Sequence, residues 1–177
     1  MLPNKWRARP KGGPLDPALA SWLCEPGSLT ARCLRNSSEF RVRLLRYEKE
    51  QALADEGIRL NQSRHPAWVR EVALECDGIP VIFAHTTLST ASNGRLSQWL
   101  SRLGSNSLGS LLFTHPGFRR NHIEYRRLDK RHPLFQRAAA LGTTGDILWA
   151  RRSLHRLGNQ QVLVTEVFLP SVVLLAD

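Results

Sequence analysis

The sequence is poor in cysteine and has no long apolar segment. Its three cysteines, among 177 residues, include no CxxC pair. An odd number without paired spacing favours neither a disulfide framework nor a zinc site, so we expect free thiols in a reducing compartment. No apolar run approaches the ~18 residues of a membrane helix, and no signal-peptide core follows Met1. We therefore expect a cytoplasmic protein without a membrane span.

The sequence motifs of several enzyme classes are also missing. There is no GxSxG elbow, no P-loop and no dinucleotide fingerprint, and the six histidines form neither an HxH nor an HExxH pattern. Nothing in the sequence therefore indicates a nucleotide cofactor, a covalent serine mechanism or a metal site.

Acidic residues are few, and the chain is strongly basic. Lysine and arginine number 25 against 15 acidic residues, which gives a formal net charge of +10. This excess favours anionic partners, and arginine is well suited to carboxylates and phosphates. The basic residues are spread along the chain and form no known nucleic-acid motif, so we expect no specific nucleic-acid binding.

Length and residue patterns predict one α+β domain. Residues 1–14 are rich in Pro, Gly and basic residues and predict a flexible basic arm, followed by a single domain over residues 15–177. Asp16-Pro17 and Ser28 are typical helix starts. Several alternating apolar runs between short helical segments predict an antiparallel β-sheet with helices inserted between its strands.

The segment 67–88 predicts a central hairpin that turns at Asp77-Gly78. A two-residue turn there pairs residues whose numbers add to 155, which sets Arg70 opposite His85 on an otherwise apolar face. Two basic side chains in that position need either a buried carboxylate of the protein or an anionic ligand.

A second hairpin is predicted at the end of the chain, turning at Gly158-Asn159. Its partner numbers add to 317, so Glu166 faces Arg151. The functional interpretation is that Arg70, His85 and Glu166 converge in one pocket. The alternative is a plain core salt bridge between Arg70 and Glu166.

The ordered motifs of the chain resemble those of chorismate lyase (chorismate pyruvate-lyase). They run in the family's order from about Leu15 to Pro170 and cover nearly the whole chain. These motifs are L-D-P near residue 15, G-S-L-T at 27–30, W-V-R-E at 68–71, D-G-I-P at 77–80, L-G-S-L-L-F at 108–113, L-W-A-R-R-S at 148–153 and T-E-V-F-L-P at 165–170.

The resemblance implies a monomer whose antiparallel sheet bears an internal ligand cavity closed by two helical flaps. It also implies a cofactor-free conversion of chorismate to 4-hydroxybenzoate and pyruvate, the entry to the ubiquinone ring. By position, Arg70 resembles the family's carboxylate-binding arginine and Glu166 its active-site glutamate. Leu29 and Leu108 are similar to the flap residues whose backbone touches the ligand.

One position departs from the family: His85 stands where its members carry a second arginine. One hypothesis is that a substrate carboxylate holds His85 protonated, so that His85 also binds the substrate. Another is that a basic residue such as Arg151 takes over. The departure also leaves open a non-catalytic module of the same fold that binds 4-hydroxybenzoate or a similar aromatic acid. A regulator's effector-sensing domain is less favoured, because only about 14 residues precede the first helix.

Overall fold

The computed structural model describes residues 5–61, 66–89, 95–142 and 145–175. Its strands are β1 (Phe40–Gln51), β2 (Pro66–Cys76), β3 (Ile79–Ser89), β4 (Arg119–Arg120), β5 (Glu124–Asp129), β6 (Ile147–Leu157) and β7 (Gln160–Phe168). Its helices are α1 (Pro17–Leu23), α2 (Leu29–Arg35), α3 (Ala54–Arg59), α4 (Arg95–Leu103), α5 (Leu108–Thr114) and α6 (Pro133–Ala139), followed by a 3-10 turn at Pro170–Leu174. No helix within these ranges is long and apolar enough to cross a membrane.

The strands form one antiparallel sheet in the order β1-β2-β3-β7-β6-β4, with β5 also paired to β6. The predicted α+β class with an antiparallel sheet is therefore confirmed. The two helix starts are confirmed as well. Asp16 accepts hydrogen bonds from the first-turn amides of α1, and the Ser28 hydroxyl accepts one from Ala31 N.

The β6–β7 hairpin has the predicted register along its whole length. Glu166 pairs with Arg151, and the turn contains Gly158 at a φ of 59°, which glycine adopts without strain. No bulge interrupts the ladder, so the register set by the turn holds from the Leu157–Gln160 pair to the Trp149–Phe168 pair.

The β2–β3 hairpin begins as predicted. Asp77 and Gly78 have φ values of 51° and 79°, as a two-residue hairpin turn requires, and Cys76 pairs with Ile79. One residue later the register changes, because Val81 is an extra residue on β3 between the partners of Glu75 and Leu74. This β-bulge directly follows Pro80, which has no N–H to give to a regular ladder.

The bulge makes the predicted pairing of Arg70 with His85 wrong. Arg70 lies opposite Thr86, and His85 lies opposite Glu71. Because side chains alternate along a strand, Arg70 and His85 point to opposite faces of the sheet. We call the face that carries Arg70 the pocket face, and the face that carries His85 the back face.

Different helices cover the two faces. Side chains of α1 and α2, including Trp22 and Leu29, pack on Val72 and Leu74 of the pocket face. Leu134 and Phe135 of α6 pack on the back face. Each face therefore has its own apolar core, with the sheet between them.

The N-terminal segment, predicted to be a flexible arm, is attached to the body at its described end. Trp6 is buried in the back-face core, and its indole N–H donates to Asp55 Oδ2 at 2.6 Å. Arg7 and Tyr125 exchange two backbone hydrogen bonds. The boundary at residue 15 stays a prediction.

Candidate active site

A small cavity of about 50 Å³ lies between the pocket face and the flaps formed by α1–α2 and α4–α5. Strands β2, β3, β6 and β7 form its wall, and the first residues of α2 and α5 form its cover. Four of the five predicted site residues line it, namely Leu29, Arg70, Leu108 and Glu166. The structure therefore brings together residues that lie far apart in sequence.

Arg70 enters the cavity from β2 and is almost completely buried, with 3% of its surface exposed. Its Nη2 donates to the carbonyl oxygens of Gly104 and Asn106 at 2.9 and 2.8 Å, which ties it to the loop between α4 and α5. Burial lowers the pKa of Arg70 to about 10, so the guanidinium is charged at neutral pH. Its Nε has no hydrogen-bond partner among the described residues. A buried cation in this state favours an anion in the cavity.

Glu166 lies across the cavity on β7, where Arg151 holds its carboxylate. Arg151 Nε donates to Glu166 Oε2 at 2.6 Å, and Arg151 Nη1 donates to the Glu25 carbonyl in the α1–α2 flap. The partner of Glu166 is thus Arg151 and not Arg70, so the core salt bridge considered above does not form. The Arg151 side chain lines the same cavity.

His85 is the one predicted site residue that does not line the cavity. It is fully buried on the back face, between Glu71 (Nδ1 to Oε1, 2.7 Å) and Glu56 (Nε2 to Oε1, 3.2 Å). Burial disfavours the charged imidazole, but these two carboxylates outweigh it and raise the pKa of His85 to about 9. Protein carboxylates therefore hold His85 protonated, and the hypothesis that a substrate carboxylate does so is wrong.

Several polar residues of the cavity were not predicted from the sequence, among them Arg120, Ser153 and His155. Ser153 and His155 follow Arg151 on β6 at a spacing of two, and side chains two residues apart on a strand lie on the same face. Arg120 lies on the two-residue strand β4, which no periodic pattern marks. Among the described residues no group of three His, Cys, Asp or Glu is arranged to hold a metal ion.

The two flaps meet over the cavity at the first turns of α2 and α5. Thr30 Oγ1 and Ser107 Oγ lie 2.7 Å apart and share a hydrogen bond between the flaps. Gly109 packs so closely on them that a Cβ there would lie 3.2 Å from Thr30 Oγ1. This contact closes the cavity in the conformation described.

Comparison with known families matches the chain over nearly its full length. A family model described as Chorismate lyase matches residues 5–175. A protein of Dechloromonas aromatica (strain RCB) named "Probable chorismate pyruvate-lyase" is 67% identical over 175 residues, which are 99% of each chain. A protein of Nitrosomonas europaea with the same name is 41% identical, over 96% of each chain.

Solved structures with a similar fold come from other proteins. The C-terminal domain of PhnF aligns with a TM-score of 0.57 at 14% identity, over 77% of this chain and 86% of that one. The effector domain of PhnF from Mycobacterium smegmatis aligns with a TM-score of 0.54 at 16% identity, over 82% and 90%. At such identities the likeness concerns the fold alone.

Proposed function

The chain belongs to the chorismate lyase family, and from this premise we propose that its cavity eliminates pyruvate from chorismate to give 4-hydroxybenzoate. The observation that carries the proposal is the charge of the cavity. Its lining holds three arginines and one glutamate, Arg70, Arg120, Arg151 and Glu166, in a space closed by flaps. This excess of two positive charges matches the two carboxylates of chorismate.

The reaction breaks the bond between ring C3 and the enolpyruvyl oxygen. The C4 proton leaves, the ring becomes aromatic, and the enolate of pyruvate takes up a proton. Aromatisation drives the reaction, so the protein has mainly to orient the substrate and stabilise the charge that moves onto the leaving oxygen. No cofactor takes part in this scheme.

We assign the ring carboxylate to Arg70, aided by the backbone amides at Leu29 and Leu108. These two residues begin α2 and α5, and amides in the first turn of a helix have no partner within the helix. Glu166 accepts a hydrogen bond from the C4 hydroxyl, and Arg151 fixes the orientation of its carboxylate. We propose that the enzyme acts as a monomer in the cytoplasm and that its product enters ubiquinone synthesis.

The direct test is to incubate the purified protein with chorismate and separate the aromatic products by chromatography. Formation of 4-hydroxybenzoate together with equal amounts of pyruvate is the expected result. Tight retention of 4-hydroxybenzoate without turnover would instead identify a binding module of the same fold. If the protein neither turned chorismate over nor retained 4-hydroxybenzoate, both assignments would be contradicted.

Replacing Glu166 by glutamine is expected to lower kcat by about 100-fold, the usual scale for a group that handles a proton or its hydrogen bond. The amide keeps the size of the side chain but loses the charge that pairs with Arg151. Steady-state kinetics of the variant measure the effect. Glu48→Gln on exposed β1 is the matched control, and a Glu166→Gln variant with normal kcat would contradict the assignment.

Release of the product is expected to be slow because the flaps enclose it. Thr30→Val keeps the shape of Thr30 and removes its hydrogen bond to Ser107, so we expect 4-hydroxybenzoate to dissociate about 5-fold faster, from the net value of one hydrogen bond. Stopped-flow displacement measures the rate, with exposed Ser101→Ala as control. An unchanged rate would show that this contact does not limit opening.

A further inference from the structure

Three buried polar atoms of the cavity lining lack a partner in the part of the chain that the structure describes. They are Arg70 Nε, Arg120 Nε and His155 Nδ1. Buried polar atoms are rarely left unpaired, since each costs free energy unless something binds it. One of the three belongs to the arginine assigned to the ring carboxylate. The other two lie together elsewhere in the cavity.

Arg120 and His155 are neighbours across the β4–β6 pair, and both side chains line the cavity. Arg120 Nη1 donates to the Pro26 carbonyl at 2.8 Å, which fixes the guanidinium against the α1–α2 flap. The guanidinium carbon Cζ lies over the Phe113 ring, 5.3 Å from the ring centroid. Arg120 is therefore held on two sides while its Nε is still available.

His155 supplies a neutral polar group beside this cation. It is 3% exposed, and its Nε2 lies 3.0 Å from Ser153 Oγ. Burial, with the nearby charges of Arg120 and Arg151, lowers the pKa of His155 to about 4, so the imidazole is uncharged at neutral pH. If the Ser153 hydroxyl donates to Nε2, the proton of the imidazole is on Nδ1, which then offers a donor to the cavity.

The charges separate into two sites. Arg151 is neutralised by Glu166 at 2.6 Å, which leaves Arg70 and Arg120 as the charges to be matched by a ligand. Arg70 is on β2 and Arg120 on β4, with three strands between them in the sheet. Their side chains therefore reach the cavity from opposite ends, as the two carboxylates of one elongated substrate would require.

We propose that Arg120, with His155 and Ser153, binds the enolpyruvyl carboxylate of chorismate while Arg70 binds the ring carboxylate. This inference rests on the proposed function and adds a subsite to it. When the ether bond breaks, pyruvate carries its carboxylate away from Arg120. The product keeps only the carboxylate that Arg70 holds.

The test is to compare chorismate with 4-hydroxybenzoate in the variant Arg120→Gln. We expect kcat/KM for chorismate to fall about 100-fold, the scale of a lost charge-assisted contact, and the Kd of 4-hydroxybenzoate to change less than about 3-fold. The matched control is Arg119→Gln, which removes the same charge from the exposed side of the same strand. His155→Leu is expected to lower kcat/KM for chorismate about 10-fold, again without weakening the binding of 4-hydroxybenzoate.

The ratio of the two effects separates a subsite from a structural role. If the substitution acted only by disturbing the flap through the lost contact with Pro26, the binding of chorismate and of 4-hydroxybenzoate would weaken equally. That result would overturn the inference. If Arg120→Gln proves unstable, Arg120→Lys replaces it, because lysine keeps the positive charge. We expect this variant to keep its selective binding of chorismate. Equal loss of chorismate and 4-hydroxybenzoate binding in Arg120→Lys would also overturn the inference.

If the wild-type protein does not turn chorismate over, the proposed function fails but the subsite can still be measured. Calorimetric titration with chorismate and with 4-hydroxybenzoate then replaces kinetics. Selective loss of chorismate binding in Arg120→Gln would support the subsite in a protein that binds without catalysis. Unchanged chorismate binding in that variant would overturn it.

Discussion

Arg70→Ala is expected to lower kcat/KM for chorismate by about 1000-fold, which corresponds to roughly 4 kcal/mol. The guanidinium is the buried charge assigned to the ring carboxylate, and alanine would leave that carboxylate unpaired in a cavity nearly closed to water. The carbonyl oxygens of Gly104 and Asn106 would also lose their donor, so the α4–α5 flap would be held less firmly. We expect the Kd of 4-hydroxybenzoate to weaken together with kcat/KM, unlike in the Arg120 variant.

Steady-state kinetics and calorimetry on the same preparation measure both quantities. Arg102→Ala is the matched control, since it removes an exposed arginine from α4. Circular dichroism and the thermal midpoint of each variant establish that it is folded. A folded Arg70→Ala protein with near-normal turnover would show that the carboxylate is bound elsewhere.

The two hairpins show how far the sequence predicts the site. In β6–β7 the Gly158-Asn159 turn specifies the register and no bulge interrupts it, so the predicted pairing of Glu166 with Arg151 is confirmed. In β2–β3 the turn is equally clear, but Val81 interrupts the ladder and every pair beyond it moves by one residue. Pro80 was the available signal, because proline within a strand often accompanies a bulge.

The bulge at Val81 decides which face of the sheet His85 lies on. The family resemblance compares positions along the chain. Whether a strand residue lines a cavity depends instead on which face of the sheet its side chain lies on. The resemblance aligns His85 with an arginine, yet His85 lies on the back face, bonded to Glu71, while its predicted partner Arg70 lies in the cavity. Arg120 was missed for a different reason: its strand has only two residues, too few to show the alternating pattern that predicts a strand.

The fold alone does not select the function. Domains of PhnF share this architecture at 14–16% identity, so the sheet and its covering helices suit more than one use. The proposal rests instead on side chains of the cavity: two arginines whose Nε atoms have no partner among the described residues, and a third arginine bound to Glu166. The proposed lyase therefore depends on residues that fold comparison does not weigh.

His85→Gln is expected to lower the free energy of unfolding by about 3 kcal/mol at pH 6, with the loss disappearing near pH 10. The folded-state pKa of His85, about 9, lies above its ordinary value of 6.5. The protonated form is therefore favoured by folding, and its contribution is fully present below pH 6.5 and is lost as the pH rises through 9. Glutamine keeps a hydrogen-bonding side chain but leaves the buried carboxylates of Glu56 and Glu71 without this cation.

Glu71 limits the stable range at the acid end. Burial alone would raise its pKa, but His85 and Arg137 lower it to about 2. A group with a depressed pKa contributes above its ordinary value of about 4.5 and loses that contribution as the pH falls through 2. The Glu56–His85–Glu71 cluster should therefore stabilise the fold most between about pH 4.5 and 6.5.

Urea denaturation of wild type and His85→Gln at a series of pH values measures the difference directly. His122→Gln is the matched control, since His122 is exposed and its loss should not alter stability at any pH. A His85→Gln difference that stayed constant from pH 6 to pH 10 would mean that the imidazole acts by packing and not by charge. Loss of stability with normal KM in this variant would agree with a residue that supports the sheet from behind and never contacts the substrate.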